Sequence, residues 1–328
     1  MSLPKGKLGF ADLERLVFRH LPRIDDPRAM PLDFTEAPIS GRLIAATDPV
    51  IGVPLEYYGF FAVHYTATDV SMAGAVPHFL TLNVCYPPGT TEKWLENTMR
   101  QLGSAARSLE IRILGGHTGG YDGLIHPFIS STCLGFLPEK TEPPRSVKPG
   151  DVLIAAGPVG RETLWFLANV EPTTIDVILD TEQRLLLAQD LSPFDVTSVA
   201  TPLSKQEILL MHDLAEGGLT TAVTELSKAT NQGLIIHYDA IPWDEALLTL
   251  CENLGWSPLH CSSFGSFLIV TRKDGASDVL REIKQHHRPA AIVGEFTKGQ
   301  QILLDHDGKL SPVSKGHDPY KDYTNRLA

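Results

Sequence analysis

The chain has 328 residues, 43% of them hydrophobic and 20% charged, with a formal net charge of −11. That length suits two domains with a sizeable buried core. The acidic balance, with no basic block or stripe, argues against a general nucleic-acid binder, while leaving open nucleotides, which reach acidic sites through a metal ion.

In chain order, a short helix over residues 11–21 precedes the proline- and acid-rich "PRIDDPRAMPLDFTEAPI". "GRLIAATDP" reads as a strand ending in Thr47, Asp48 and Pro49. Residues 57–74 read as a helix, "HFLTLNVCY" as a strand, and "TTEKWLENTMRQLGSAARSLE" as a helix opened by a capping Thr. "IRILGGHTGG" reads as a strand running into a glycine loop, and "HPFISSTCLGFL" as another strand. "PEKTEPPRSVKPGD" is charged, proline-rich and aperiodic, the character of a linker, so the domains are expected at 1–146 and 147–328. Beyond it "DVLIAAGPVGRETLWFLANV" reads strand, glycine turn, helix. Helices are expected at 219–231, 243–254 and 275–287, and strands at "GLIIHYDAI", "GSFLIVTR", "AAIVGEF" and "QQILLD". Such alternation argues α/β or α+β layering.

Cys85, Cys133, Cys251 and Cys261 are widely spaced without a C-x-x-C. This favours reduced, buried thiols of a cytosolic protein over a disulfide framework or zinc site. "MSLPKGKLGF" has no apolar core, so no signal peptide is expected. No apolar run approaches the ~20 residues of a membrane span. A cytoplasmic protein is expected.

"LIAAGPVGRETLWF" lacks the full dinucleotide-binding fingerprint and reads as a tight strand-to-helix turn. There is no P-loop, no nucleophile elbow and no His/Cys cluster with metal-ligand spacing. Three aspartates share a context: Asp48, Asp69 and Asp213 each follow apolar residues where the chain is expected to leave an element. Singly each reads as a cap or turn residue. As a set they supply the hard carboxylates that magnesium takes when phosphates fill its other positions. "MHDLAEGGLTTAVTELSKA" adds Glu216 and the pair Gly217 and Gly218 at a helix start, where N–H groups and the helix dipole favour an anion. Two carboxylates there would repel that anion unless a cation lies between them. In "GGHTGG", His117 could hydrogen-bond a phosphate or base, or be an ordinary loop histidine.

Together these stretches resemble the aminoimidazole ribonucleotide (AIR) synthase superfamily, which includes thiamine-monophosphate kinase, selenophosphate synthetase and HypE. The nearest likeness is to HypE and the AIR synthase-related proteins. It is carried, in order, by "TDPVIG", "VHYTATDVSMAGAVPHFLTLNVCYPPGT", "ILGGHTGG", "KPGDVLIAAGPVG" and "MHDLAEGGLTTAVTELSKATNQGL". "LGWSPLHCSSFGSFLIV" and "AAIVGEF" extend it over most of the chain. The resemblance implies a two-domain fold: an N-terminal sheet domain that dimerises and a C-terminal α/β domain, with ATP and Mg2+ between domains near the dimer interface. It implies a homodimer that acts on a nucleotide and an unidentified small-molecule or protein-borne substrate, with no nucleic acid and no membrane. Phosphate would be placed on a substrate oxygen, often an amide oxygen, and then displaced. Asp48, Asp69 and Asp213 would be the magnesium and phosphate aspartates, with Asp69 and Asp213 closest to the chemistry. Gly115, Gly116, His117 and Thr118 would form a nucleotide-side loop, and Gly217 and Gly218 would give backbone room beside Asp213.

The departures are specific. Gly119 stands where the family usually has an acidic residue, Thr68 replaces an Asn, and Ser263-Phe264-Gly265 replaces Ser/Asn-Glu-Gly. Asp33 and Glu36 are imperfect stand-ins for adjacent aspartates, which argues against thiamine-phosphate kinase activity. The chain ends "DYTNRLA" rather than in the cysteine HypE uses, so cyanide-ligand synthesis by that route is not expected. The reading is an ATP- and magnesium-dependent enzyme of the superfamily. The alternative is a nucleotide-binding maturation or regulatory protein without turnover.

Overall fold

The computed structural model describes residues 2–3, 6–8, 10–22, 41–137, 147–314, 316–319 and 321–324. The chain divides into two compact units, one ending at Thr141 and the other running from Glu142 to Leu327. Most of the expected linker, and Asp33 and Glu36, lie outside the described residues.

The N-terminal unit contains β1 (Gly6–Lys7), α1 (Phe10–Leu16), β2 (Arg42–Pro49), α2 (Tyr58–Met72), β3 (Val76–Tyr86), α3 (Glu92–Ser108), β4 (Arg112–Gly120) and β5 (Phe128–Leu137). Its five-stranded sheet has the order β1-β4-β3-β5-β2 among the described residues. Only β3 and β4 pair in parallel there. α3 starts where Thr91 accepts the Trp94 N–H at 3.3 Å, the expected cap. It and α2 carry the core, with Phe61, Leu95, Met99 and Leu102 fully buried. The first expected helix stops early, at Leu16, and continues as a 3-10 turn, Phe18–His20. Leu21 is extended because a residue before proline is excluded from helical conformation.

The C-terminal unit contains β6 (Val152–Ala156), α4 (Arg161–Val170), α5 (Pro172–Ile175), α6 (Thr181–Gln189), α7 (Thr197–Leu203), β7 (Ile208–Asp213), α8 (Gly218–Thr230), β8 (Gly233–His237), α9 (Glu245–Leu254), β9 (Phe267–Thr271), α10 (Ala276–Gln285), β10 (Ala290–Thr297), β11 (Ile302–His306), β12 (Lys309–Pro312) and α11 (Lys321–Thr324). Its seven-stranded sheet runs β12-β11-β8-β10-β6-β9-β7. β8 and β11 are parallel and the other pairs antiparallel. The mixed architecture is therefore α+β, because the alternating helices connect strands that mostly pair antiparallel. β6 and β9 are buried along their whole length, as strands covered on both faces must be. α5, α6 and α7 fill a stretch to which no element is assigned from the sequence. Pro172 opens α5, while Asp180 and Gln183 form a reciprocal capping box at α6.

Candidate functional site

β7 ends at Asp213, and α8 begins at Gly218. Both glycines at the start of the helix are needed by the backbone. Gly217 and Gly218 have φ of +78° and +57°, a left-handed conformation that glycine adopts without steric cost. A Cβ on Gly217 would lie 2.1 Å from Thr221 Oγ1, and one on Gly218 2.4 Å from the Cys261 carbonyl oxygen. The turn presents the Gly217 N–H at the positive end of α8.

That N–H already holds an anion. The Gly217 N–H donates to Asp318 Oδ2 at 2.8 Å, and Ser262 adds its hydroxyl to the same oxygen at 2.5 Å. The Ser262 N–H reaches Asp318 Oδ1 at 3.4 Å. Asp318 is 3% exposed, so these donors offset the cost of burying its carboxylate. Asp318 was not a sequence-predicted site residue. Asp318→Ala should leave buried donors unsatisfied at a cost of about 1–3 kcal/mol, while Asp318→Asn should retain most of the stability; thermal melting of the two variants checks this.

Asp213 is half-buried, and burial pushes its carboxyl above the usual carboxylate range against the opposing effect of His212. His212 lies between two carboxylates, with Nδ1 3.6 Å from Asp213 Oδ1 and Nε2 3.1 Å from Glu225 Oε2. Glu216 does not join Asp213 in the way the sequence suggested. It is 69% exposed and pairs with Lys321 Nζ at 3.0 Å, because left-handed Gly217 follows it at once and the tail supplies a cation.

A further carboxyl arrives from α4. Glu162 is buried in the first turn of that helix and its Oε2 accepts the Phe264 N–H at 2.7 Å. Burial pushes Glu162 up to about 8; the Phe264 N–H opposes this, and the charges of Asp318, Glu216 and Asp213 add to it. Ser263-Phe264-Gly265, which lacks the expected acid, thus has a carboxyl bonded to its backbone from elsewhere in the chain. The Phe264 ring stacks on Phe194 with centroids 6.1 Å apart.

The remaining predicted residues belong to the N-terminal unit. Asp48 lies opposite Ser131 in the β2–β5 register. Asp69 does not stand where the chain leaves its element: it is inside α2, whose last residue is Met72. The helix continues because Val70 and Ser71 are buried and the Ser71 hydroxyl bonds back to the Ala67 carbonyl. Asp69 opposes ionisation of the Cys133 thiol, which burial pushes up to about 12.

Gly115, Gly116, His117 and Thr118 are not a loop. They are strand residues of β4, paired in parallel with Thr81 to Val84. Glycine is required there for close approach, since a Cβ on Gly116 would lie 2.1 Å from the Leu82 carbonyl oxygen. A register shift at Leu80/Thr81 opens this stretch. Gly119 and Gly120 pair with Lys7 and Gly6 of β1. The His117 ring bonds through Nε2 to the Tyr121 hydroxyl and stacks on its ring.

A cavity of about 500 Å³ lies against α4 and α6, lined by Arg161, Leu164, Gln183 and Asp244 among others; none of the predicted residues lines it. Among the described residues, a grouping with metal-ligand spacing is Asp239, His306 and Asp307, all exposed, and it includes none of the three aspartates. Among the described residues, no helix is long and apolar enough to cross a membrane.

Comparison with known proteins matches two family descriptions. Residues 37–137 match "AIR synthase related protein, N-terminal domain" and residues 148–306 its C-terminal counterpart. Carbamoyl dehydratase HypE of Bradyrhizobium diazoefficiens is 28% identical over 268 residues, covering 78% of this chain and 75% of that protein. The crystal structure of a hydrogenase maturation protein HypE in complex with ATP superposes with a TM-score of 0.76 at 22% identity, covering 96% of this chain and 95% of that one. Thiamine-monophosphate kinase of Stenotrophomonas maltophilia K279a has a TM-score of 0.69 at 15% identity, covering 95% of this chain and 100% of that one. These two likenesses establish the fold.

Proposed function

Because this chain belongs to the AIR synthase related family, we propose that it is an ATP- and magnesium-dependent enzyme that activates an oxygen, of amide type, on a substrate still to be identified. One observation carries the reading: the α8 N-terminus holds a carboxylate through the Gly217 N–H and Ser262, directly after the half-buried Asp213 that ends β7. The donors suit a phosphate oxygen. The fold likeness to a HypE that is described with ATP supports the choice of nucleotide.

Magnesium fits the donor set. Desolvation holds Asp213 towards its protonated form, and a hard cation would stabilise the carboxylate that water does not. Asp213 is the proposed ligand in this unit, and Asp48 and Asp69 are the proposed carboxylates of the N-terminal unit. When bound, magnesium supplies charge neutralisation of the β- and γ-phosphates. Gly217 and Ser262 would orient a phosphate oxygen. Glu162, protonated at neutral pH, would hold the Phe264 backbone and carry a proton beside the site.

A second reading is nucleotide binding without turnover. It is favoured by Asp318, which sits on the donors that a phosphate would use. Phosphate release from ATP, measured with and without amide- and carbamoyl-bearing candidates, separates the two. Substrate-stimulated release is expected, and release that no candidate stimulates would favour the second reading.

We also propose a homodimer built through the N-terminal unit. β2 is a sheet edge with Leu43 46% exposed, and such an edge calls for cover. Light scattering at micromolar concentration should give twice the 35.9 kDa chain mass. A monomer would contradict the proposal.

A further inference from the structure

Cys251 and Cys261 place their Sγ atoms 3.8 Å apart in the C-terminal unit, and both are buried, at 2% and 0% exposure. Cys251 lies in the last turn of α9. The chain leaves that helix through Gly255, which is left-handed at φ +68°, and the Trp256 N–H donates back to the Cys251 carbonyl at 2.9 Å. A 3-10 turn, Pro258–His260, then brings Cys261 against the first thiol. Cys85 and Cys133 belong to the other unit, in β3 and β5. The pair is therefore built by the local path of the chain.

The two sulfurs are not equivalent. The contact between the two sulfurs lowers the Cys251 thiol below its ordinary value and, together with burial, raises that of Cys261, whose thiol also reaches the Ser257 carbonyl at 3.6 Å. In the step proposed below Cys251 is the attacking sulfur and Cys261 the resolving thiol.

We propose that Cys251 and Cys261 form a redox pair that closes to a reversible disulfide when a small peroxide reaches it. The Cys251 sulfur attacks one oxygen of hydrogen peroxide, the O–O bond breaks, and water leaves a sulfenic acid. The Cys261 sulfur then attacks that sulfur, the S–S bond forms, and a second water departs with the Cys261 proton. The two sulfurs together give two electrons to the peroxide. Closure requires the Sγ separation to fall from 3.8 Å to about 2.05 Å.

The bridge would act on the segment that shapes the α8 N-terminus. The Cys261 carbonyl packs against Gly218, the Leu259 carbonyl accepts from the Thr220 hydroxyl at 3.2 Å, and neighbouring Ser262 holds Asp318. Tying Cys261 to α9 stiffens residues 257–263.

The test uses the full chain, reduced, desalted and treated with stoichiometric hydrogen peroxide. After unfolding, alkylatable thiols should fall from four to two, and dithiothreitol should restore all four. Cleavage after Glu252 separates the two cysteines, so a bridged peptide pair identifies the bond by mass. Cys251→Ser and Cys261→Ser should each abolish the bridged pair, and Cys85→Ser should keep it. Backbone amide exchange across 257–263 should slow at least threefold on oxidation. Four remaining thiols, or oxygen added to single cysteines without a bridge, would overturn the proposal. Bridge formation with unchanged exchange would overturn the stiffening.

Discussion

Glu162→Gln should abolish most of the fall in folding stability between pH 5 and pH 8.5. The Glu162 carboxyl is raised from its ordinary 4.5 to about 8 by burial in α4. Between those values the folded chain holds a proton that the unfolded chain has released. Stability from this group is therefore present in full below pH 4.5 and is lost as pH rises through 8. A shift of this size corresponds to about 4 kcal/mol across the window. Glutamine resembles the protonated acid and still offers an oxygen to the Phe264 N–H, so the variant should show a nearly flat profile. Denaturant unfolding at intervals from pH 5 to 9 measures both curves. Asp213 is raised too, by the same cause, so a smaller slope of the same sign should survive. A wild-type profile that rises with pH would show that Glu162 is ionised in the fold.

Asp213→Asn should leave the melting temperature near that of the wild type and reduce magnesium-dependent ATP affinity by about tenfold or more, which is ~1.4 kcal/mol. The substitution keeps the shape and much of the hydrogen bonding and removes the charge. Asn and Asp are equivalent as turn and cap residues, so a purely structural Asp213 would show no change in affinity. Removing a half-buried carboxyl that desolvation raises carries little stability cost. Calorimetric titration with and without magnesium separates the cases: the loss should appear only with the ion. Equal affinity in wild type and variant would remove Asp213 from the metal site.

The sequence located the β7–α8 junction because its signals are local: an apolar run, a carboxylate, and two glycines before a helix. The same local reading could not find Asp318 or Glu162. Asp318 meets Gly217 across 101 residues, and Glu162 meets Phe264 across 102. Only the folded chain brings such partners together. Two local signals pointed the wrong way. In "GGHTGG" glycine signalled a loop, whereas Gly116 serves close approach between β3 and β4. Asp69 follows apolar residues and is expected where the chain leaves an element, but α2 runs on to Met72 over buried Val70 and Ser71. The α+β character was legible as alternation. The antiparallel pairing was not, because strand direction depends on how far each connection carries the chain.

Asp318 links the α8 N-terminus to the C-terminal segment. Its carboxylate holds the α8 N-terminus in an anion-bound form, while Lys321 pairs with Glu216 on the same turn. A phosphate entering that turn must displace a carboxylate already seated there. If the proposed nucleotide binds at this turn, its binding would carry the cost of releasing Asp318.

Titration of the purified wild-type chain with ATP, in magnesium and again in excess chelator, tests the central claim most directly. Saturable binding in magnesium that weakens at least tenfold in chelator is the result this account predicts. No binding in either condition, or equal binding in both, would contradict it.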